Sequence, residues 1–152
     1  MSLLSTEPIF RIQAEVGDMQ HFGQTPYGER RVIDIRGGRI EGARLKGRIL
    51  PGGADWQIVR TDGVIDLDAR YTIETEAGGR ILVRSDGMRH GPSEVLAALH
   101  RGEQVDPSHY YFRTMMRFET ADPGLAWLNR MLALGRGVRE LHAVRLDVYE
   151  VL

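Results

Sequence analysis

Residues 64–75, VIDLDARYTIET, alternate between apolar and polar side chains with a period of two. The odd positions are Ile65, Leu67, Ala69, Tyr71 and Ile73, and the even positions are Asp66, Asp68, Arg70, Thr72 and Glu74. A period of two is that of a β-strand, in which successive side chains point to opposite faces. The segment therefore predicts a strand with one apolar face and one ionic face.

The residues before this strand predict that it is half of a hairpin. Thr61-Asp62-Gly63 has the composition of a tight connection between neighbouring antiparallel strands, and Trp56–Arg60 is predicted as the partner strand. Upstream, the glycine turn PGGAD, residues 51–55, presents Asp55 and Trp56 at the entrance of that strand.

Similar alternating segments, separated by glycine-rich turns, recur along the chain. Further strands are predicted at Ile9–Val16, Arg39–Leu50, Arg80–Met88, His109–Thr120, Leu128–Leu134 and His142–Val151. One helix is predicted at Pro92–Arg101, and Asp122 is predicted to cap a short helical turn that reaches Trp127. The polar segment HFGQTPYGER, residues 21–30, is predicted to be a mobile lid or rim loop.

About eight antiparallel strands with one short crossing helix predict an all-β protein that closes into a barrel. Closure removes exposed strand edges, and a barrel of this size has an interior that is either packed or holds one small ligand. A sandwich of the same strands is the alternative architecture. In the strand at 109–120 the side with Tyr110, Phe112 and Phe118 is predicted to be core.

Length and composition favour one ordinary globular domain spanning residues 1–152. A chain of 152 residues can bury about 70% of its unfolded surface without crosslinks. Its hydrophobic share of 42% and charged share of 27% are close to globular averages, which disfavours disorder. The net charge of -1 and the interleaving of acids with arginines argue against nucleic acid as a partner.

Several other classes of function lack support in the sequence. The chain has no cysteine, no basic and apolar leader and no apolar run near the ~20 residues of a membrane helix, so a cytoplasmic location and no membrane partner are expected. The five histidines form no recognisable metal pair, so no metal is expected. The PGG segment lacks the lysine and helix of a phosphate loop, so no nucleotide cofactor is expected.

Several motifs of the chain, in order, resemble the DUF3237 family, also called UPF0311. They are PGGADWQIVRTDG, LDARYTIET, HGPSEVL, DPSHYYFRT, AWLN and VYEV, and the similarity runs over almost the whole chain. The resemblance implies a small β-barrel, similar to the allene oxide cyclase and dirigent barrels or to a calycin-like barrel. It implies no general activity and no catalytic residues.

The catalytic candidates are Asp68, Arg70 and Glu74, which share the ionic face of the strand at 64–75. If that face lines a cavity, Arg70 would hold a carboxylate or an enolate, while Asp68 or Glu74 would move a proton. The alternative is a solvated outer face with ordinary ion pairs, because any half-exposed strand shows the same alternation.

A second set of candidates is assigned to substrate binding. Tyr111, Arg113 and Glu119 share one face of the strand at 109–120 and would suit an anionic or oxygenated molecule, with a salt bridge between strands as the alternative. Asp55 and Trp56 would form a polar end and a flat apolar wall of a pocket, or else Asp55 would bond local backbone amides. Tyr71, from the same signature segment as Asp68 and Arg70, is also assigned to substrate binding.

These candidates predict a barrel that binds a small molecule and acts as a cofactor-free lyase, isomerase or cyclase on an oxygenated or acidic metabolite. An apolar cavity would fix the substrate, and one arginine and one carboxylate would stabilise charge or shuttle a proton. The alternatives are a non-catalytic ligand-binding barrel and a structural homo-oligomer. The sequence leaves open whether the protein is an enzyme.

Overall fold

The computed structural model describes all 152 residues and contains one antiparallel sheet of nine strands, one α-helix and two 3₁₀ segments. The strands are β1 Phe10–Thr25, β2 Gly28–Glu41, β3 Lys46–Ile49, β4 Gly53–Val59, β5 Ile65–Thr75, β6 Arg80–His90, β7 Tyr111–Thr120, β8 Leu132–Arg139 and β9 Ala143–Val151. The helix α1 is Ser93–His100, and the 3₁₀ segments are Pro107–His109 and Pro123–Arg130.

The sheet closes on itself because β1 hydrogen-bonds to both β2 and β9. The ring continues from β9 through β8, β7 and β6 to β5, and both β3 and β4 lie between β5 and β2. β3 pairs with Arg39–Glu41 of β2 and β4 pairs with Glu29–Ile35, so the two short strands occupy one strand position in succession. The predicted closed antiparallel barrel with eight strand positions is confirmed.

The break between β3 and β4 lies in the PGGAD segment. Both strands run antiparallel to β2 and to β5, so residues 50–52 are an insertion within one strand position. Gly52 has a φ of 111°, in the region that favours glycine. The predicted hairpin is confirmed for β4 and β5, which turn at Thr61–Gly63, but the predicted PGGAD turn is a break in a strand rather than a turn between neighbours.

The predicted lid loop at residues 21–30 is wrong, because these residues continue β1 and β2 as a hairpin. Thr25 pairs with Gly28, and the ladder runs back through Gln20 and Val32. The outer half of this hairpin is exposed, including Phe22 and Tyr27. Its polar, glycine-rich composition therefore reflects solvent on both faces and not an irregular backbone.

Two other predicted strands have the wrong boundaries. The predicted strand Arg39–Leu50 is divided, because β2 ends at Glu41 and β3 begins at Lys46. The first residues of the predicted strand Leu128–Leu134 belong to the second 3₁₀ segment, and β8 runs eight residues from Leu132.

The predicted helix is confirmed as α1, which connects β6 to β7. The carbonyl oxygen of Pro92 accepts the amide hydrogens of Val95 and Leu96, so the helix starts directly after the proline. The predicted cap is also confirmed, since Asp122 Oδ1 accepts the amide hydrogen of Gly124 at 2.9 Å. None of the helices is long and apolar enough to cross a membrane.

The core fills one end of the barrel with the inward faces of the strands. The odd positions of β5 point inward, and Tyr71 and Ile73 are buried there. The aromatic side of β7 is core as predicted, and the Phe118 ring meets the Phe10 ring edge to face with centroids 5.5 Å apart. Ile12, at the seam where β1 closes the ring, is completely buried. The other end of the barrel holds the polar residues described next.

Candidate functional site

An apolar chamber lies inside the barrel beside the packed core. Its volume is about 50 Å³. The lining residues are Ala14, Val16, Ile33, Ile35, Asp55, Gln57, Leu67, Ala69, Tyr71, Ser85, Arg89, Phe112, Thr114, Arg139, Val144 and Leu146. Most of them are apolar, and the polar groups come from five neighbouring strands, β4 to β8. Such a chamber with a few convergent polar groups is the usual form of a small-molecule site.

A wider vestibule leads from solvent to the chamber. Its volume is about 550 Å³, and it is bordered by the β1–β2 hairpin, by α1 and by the turn between β8 and β9. Ile33, Arg89 and Arg139 line both the vestibule and the chamber. The junction of the two cavities is therefore flanked by two arginines.

A chain of hydrogen bonds runs from the vestibule to the chamber. Arg31 Nη2 donates to Gln57 Oε1 at 2.7 Å, and Gln57 Nε2 donates to Asp55 Oδ2 at 2.8 Å. A guanidinium has only donors, so Arg31 fixes the orientation of the Gln57 amide and directs its NH₂ group at the carboxylate. The other carboxylate oxygen, Asp55 Oδ1, accepts the backbone N–H of Asp68 at 2.9 Å. Asp55 is thus held by two donors.

Burial raises the pKa of the Asp55 carboxyl group above its ordinary value. The hydrogen bonds from Gln57 and from the Asp68 amide, together with the charge of Arg89, oppose that change but do not cancel it. A carboxyl group with a raised pKa exchanges its proton closer to neutral pH than an ordinary aspartate does. Asp55 is therefore suited to accept and return a proton.

Arg31 of β2 lines the vestibule beside the junction and forms a cluster of three arginines with Arg89 of β6 and Arg139 of β8. Arg31 and Arg89 are only 9% and 7% exposed. Burial lowers the pKa of all three guanidiniums, and the charges of Arg139 and Arg31 help to lower the pKa of Arg89 to about 10. Asp55 is the acid that attracts all three. None of the three arginines takes part in any of the eight ion pairs of the structure.

Two hydroxyl groups of the chamber have no hydrogen-bond partner within the protein. They are Tyr71 Oη and Thr114 Oγ1, both buried. Burial and the nearby charge of Asp55 raise the pKa of the Tyr71 phenol, so it stays protonated and can donate a hydrogen bond. A carboxylate, a phenol and a guanidinium around one apolar chamber can together move a proton and stabilise a developing oxyanion.

The structure brings two of the predicted site residues, Asp55 and Tyr71, into the chamber. Trp56 follows Asp55 on β4 and therefore points to the outer face, where it is 39% exposed. No group of three or more His, Cys, Asp or Glu side chains is placed to hold a metal ion.

The predicted pocket position of Asp68, Arg70 and Glu74 is corrected, because these side chains lie on the outer face of β5. Arg70 is exposed, and Glu74 is bound from outside by Arg48 at 3.0 Å and by Arg80 at 3.7 Å. The ionic face points outward since burying three charged groups without matched partners costs more than solvating them. The alternative of an outer face is thus the one observed, with ion pairs at Glu74.

Tyr111, Arg113 and Glu119 also lie on the outer face, where the Arg113 guanidinium lies 5.3 Å from the Tyr111 ring centroid but Glu119 does not complete a binding trio. The Tyr111 ring stacks on His90 with centroids 4.8 Å apart, and Arg113 Nη1 donates to the carbonyl oxygen of Phe112 at 2.9 Å. Glu119 is exposed and forms no ion pair with Arg113. The alternative, a salt bridge between strands, is absent as well, because neither Arg113 nor Glu119 forms an ion pair.

The residues that sequence reasoning missed are Arg31, Gln57, Arg89 and Arg139. Arg31 directly follows the predicted loop at 21–30 and lies in no predicted strand. Arg89 and Arg139 lie beyond the predicted ends of their strands. The sequence did contain a signal for Arg89. It occupies an odd position of β6, as the apolar residues Ile81 and Val83 do, and so lies on the same face of the strand. A strand drawn two residues longer would have placed a guanidinium on an inward face.

Comparisons with known proteins agree with this architecture. The family model described as "Protein of unknown function (DUF3237)" matches residues 4–151. The chain is 44% identical to a UPF0311 protein of Rhodopseudomonas palustris over 149 residues, which covers 98% of this chain and 97% of that protein. A crystal structure of a conserved protein from that organism has a TM-score of 0.92 at 43% identity and covers 100% of this chain and 99% of that chain.

Two other solved structures extend the comparison. A β-barrel-like protein from Acinetobacter baumannii has a TM-score of 0.84 at 41% identity, with 99% of this chain and 97% of that chain covered. A chain described as an enzyme from Penicillium herquei has a TM-score of 0.72 at 21% identity, with 100% and 97% covered, and therefore shares the fold. By its sequence and by its structure, the chain belongs to the DUF3237 family.

Proposed function

We propose that the protein is a cofactor-free proton-transfer enzyme of lyase, isomerase or cyclase type, acting on a small oxygenated organic molecule inside the barrel. The observation that carries this proposal is the state of the Asp55 carboxyl group. This group has a raised pKa, is oriented by Gln57 and by a backbone amide, and faces an apolar chamber. Catalytic acids and bases have these properties more often than structural carboxylates do.

In the proposed reaction, Asp55 removes a proton from the carbon beside a substrate carbonyl group. The electron pair of that C–H bond forms the C=C bond of an enolate, and the π pair of the carbonyl group moves onto its oxygen. The resulting negative oxygen is stabilised by a hydrogen bond from the Tyr71 phenol and by the charge of Arg89. Protonated Asp55 then returns the proton to another carbon or to the leaving group. A carboxylate base and a tyrosine donor suit this chemistry, because the proton and the negative charge then move only between groups inside the chamber.

The size of the two cavities supports a ligand that reaches from the vestibule into the chamber. Ligand pockets usually measure roughly 300–1,000 Å³. The vestibule, at about 550 Å³, falls in that range, whereas the chamber, at about 50 Å³, suits only the reacting end of a molecule. The Penicillium herquei chain of the same fold, described as an enzyme, gives further support to a catalytic use of this barrel.

Exchange of carbon-bound hydrogen with D₂O tests the proposal without knowledge of the natural substrate. A panel of small ketones, oxo acids and enones is incubated with the protein, and loss of the proton signal beside the carbonyl group is followed by NMR. We expect wild-type protein to accelerate exchange for members of the panel, and Asp55→Asn to reduce that acceleration by about 10²–10⁴-fold. Tyr71→Phe should reduce it less, because the charge of Arg89 remains.

Asp68→Asn is the matched control, since Asp68 is a neighbouring carboxylate that faces out of the barrel. Its exchange rate should equal that of wild type. Exchange that survives in Asp55→Asn, or is lost in Asp68→Asn, would contradict the assignment. Saturable binding of panel members with no exchange at all would favour the non-catalytic ligand-binding barrel instead.

A further inference from the structure

We infer that the ligand is a carboxylic acid whose carboxylate binds among Arg31, Arg89 and Arg139 at the junction of the vestibule and the chamber. This inference rests on the proposed function only for the role of Asp55 at the reacting end of the ligand. The carboxylate position itself follows from the three arginines, their burial and the two Nε donors, of Arg31 and Arg89, that have no acceptor within the protein.

Positive charge is in excess inside the barrel. Arg89 and Arg139 line the junction and Arg31 lies beside it, and Asp55 is the one acid that attracts all three, while Glu29 at the rim attracts Arg31 alone. Even with Asp55 ionised, positive charge exceeds negative charge in a region largely removed from water. Buried charge without a counter-charge is costly, so this arrangement favours the binding of an anion.

The arginines also hold donors that no group of the protein accepts. Arg31 Nε and Arg89 Nε are buried and have no hydrogen-bond acceptor within the protein. Arg139 uses Nη1 on the carbonyl oxygens of Glu140, at 2.6 Å, and Ala143, at 3.1 Å, which fixes the guanidinium in place. Arg89 also packs over the Phe112 ring with its Cζ 5.5 Å from the ring centroid. The donors are thus held in position before an anion binds, and this lowers the entropy cost of binding it.

The shape of the donors and the apolar lining beyond them favour a carboxylate on an organic molecule. The planar fork of a guanidinium matches the two coplanar oxygens of a carboxylate. Beyond the arginines the chamber is lined by Leu67, Phe112 and Val144, among other apolar side chains. An organic acid can place its apolar part there, whereas free inorganic phosphate has nothing to bury.

The spacing of the polar groups narrows the ligand further. A single side-chain amide, that of Gln57, separates the Arg31 guanidinium from the Asp55 carboxylate. An anion on the arginines therefore leaves only a short spacer before the carbon that Asp55 would deprotonate. The ligand class that fits both ends is a short-chain oxo acid or a related unsaturated acid.

Binding of charged and neutral isosteres tests the inference directly. The probe pairs are 2-oxobutyrate with 2-oxobutanamide and crotonate with crotonamide, measured by calorimetry or NMR titration at low ionic strength, with inorganic phosphate as a third probe. We expect wild-type protein to bind each acid at least about 10-fold more tightly than its amide, because only the acid forms charge-assisted bonds with the arginines. Phosphate should bind more weakly than the acids.

Three arginine variants and one control locate the site. Arg89→Gln and Arg139→Gln should each reduce the preference for the acid by about 10-fold or more, because each removes a charge-assisted pair. Arg113→Gln, on the outer face, should keep the preference of wild type. Arg89→Met should lose acid binding yet raise Tm, since it removes a buried charge that lacks an acceptor within the protein.

Four results would overturn the inference: amides that bind as tightly as acids, a preference that survives in Arg89→Gln and Arg139→Gln, a preference lost equally in Arg113→Gln, or phosphate binding tighter than every acid. The outcome is separable from that of the proposed function. Asp55→Asn should keep acid binding while it loses deuterium exchange, because the arginines are unchanged in it. Acid binding without exchange contradicts only the proposed reaction, and exchange without acid preference contradicts only the carboxylate site.

Discussion

Asp55 experiences opposing influences on the charge of its carboxyl group. Burial disfavours the carboxylate, whereas the Gln57 amide, the Asp68 backbone amide and the charge of Arg89 favour it. Burial is the largest of these, so the pKa is raised. The folded protein consequently binds a proton at Asp55 more tightly than the unfolded chain does, and this difference links the stability of the barrel to pH.

We expect the wild-type protein to lose stability relative to Asp55→Asn as the pH rises from about 4, the ordinary value of an aspartate, through the raised pKa. In that window the unfolded chain has released a proton that the folded chain still holds. Raising the pH removes this stabilising difference in the wild type and leaves the variant unaffected. Thermal unfolding of both proteins between pH 4 and pH 8 measures the effect as a widening gap in Tm. A gap that stays constant over the range would contradict a raised pKa at Asp55.

The contrast between Asp55 and Asp68 explains why the site was only partly predictable at the scale of residues. The alternation of β5 correctly separates an apolar face from an ionic face, and the ionic face with Asp68 lies outside. Functional polar groups inside the barrel share inward faces with apolar residues, as Arg89 does on β6 with Ile81 and Val83. A polar residue at such a position interrupts the apolar alternation that marks an inward face. A search for whole ionic faces therefore does not find it.

At the scale of elements, the junction of β3 with β4 positions the first residues of the site. Gly53 begins β4 directly against the backbone of β5, and a Cβ atom at this position would lie 2.5 Å from the Arg70 carbonyl oxygen and 2.6 Å from Tyr71 Cβ. The close approach sets the depth at which Asp55, two residues later, enters the barrel. The glycines of the PGGAD motif therefore act through backbone packing and not through a turn between strands.

Gly53→Ala should lower the free energy of unfolding by about 1–3 kcal/mol, because the added methyl group overlaps atoms of β5 that cannot move independently. Gly37→Ala is the matched control. Its Cβ atom would meet its nearest atom, a Glu15 carboxylate oxygen, at 3.4 Å, and its φ is not positive, so a change within about 0.5 kcal/mol is expected. Urea unfolding compares the two variants. Equal losses in both would show that β4 and β5 are not held this closely.

At the scale of the whole molecule, the closed barrel was predictable from the sequence, but the extent of its strands was not. Period-two patterns identified β5 and β7 because each has one buried face along its full length. The β1–β2 hairpin and the distal part of β8 lack that contrast, since the hairpin is exposed on both faces and β8 carries glycines on its inward face. Arg31 and Arg139 lie in those poorly patterned regions, which is why the arginine cluster became visible only in three dimensions.

Closure of the ring predicts that the barrel unfolds as one cooperative unit. Ile12 lies on β1 at the seam, pairs with Ile40 of β2 and Leu146 of β9, and is completely buried. Ile12→Ala should reduce the free energy of unfolding by about 2–5 kcal/mol through lost burial and a residual cavity. Leu132→Ala removes an apolar side chain that is 54% exposed on the outer face and should change it by less than about 0.5 kcal/mol.

The two tryptophans allow the cooperativity itself to be measured, because Trp56 is on β4 and Trp127 lies in the second 3₁₀ segment against Arg44. In the Ile12→Ala background, Trp56→Phe and Trp127→Phe each leave one fluorescent reporter. The two reporters and the far-ultraviolet circular dichroism should then give one common midpoint in urea, as expected when no part of a closed sheet is stable without the rest. Separate midpoints would mean that a part of the ring survives opening of the β1 seam, and the barrel would then unfold in more than one unit.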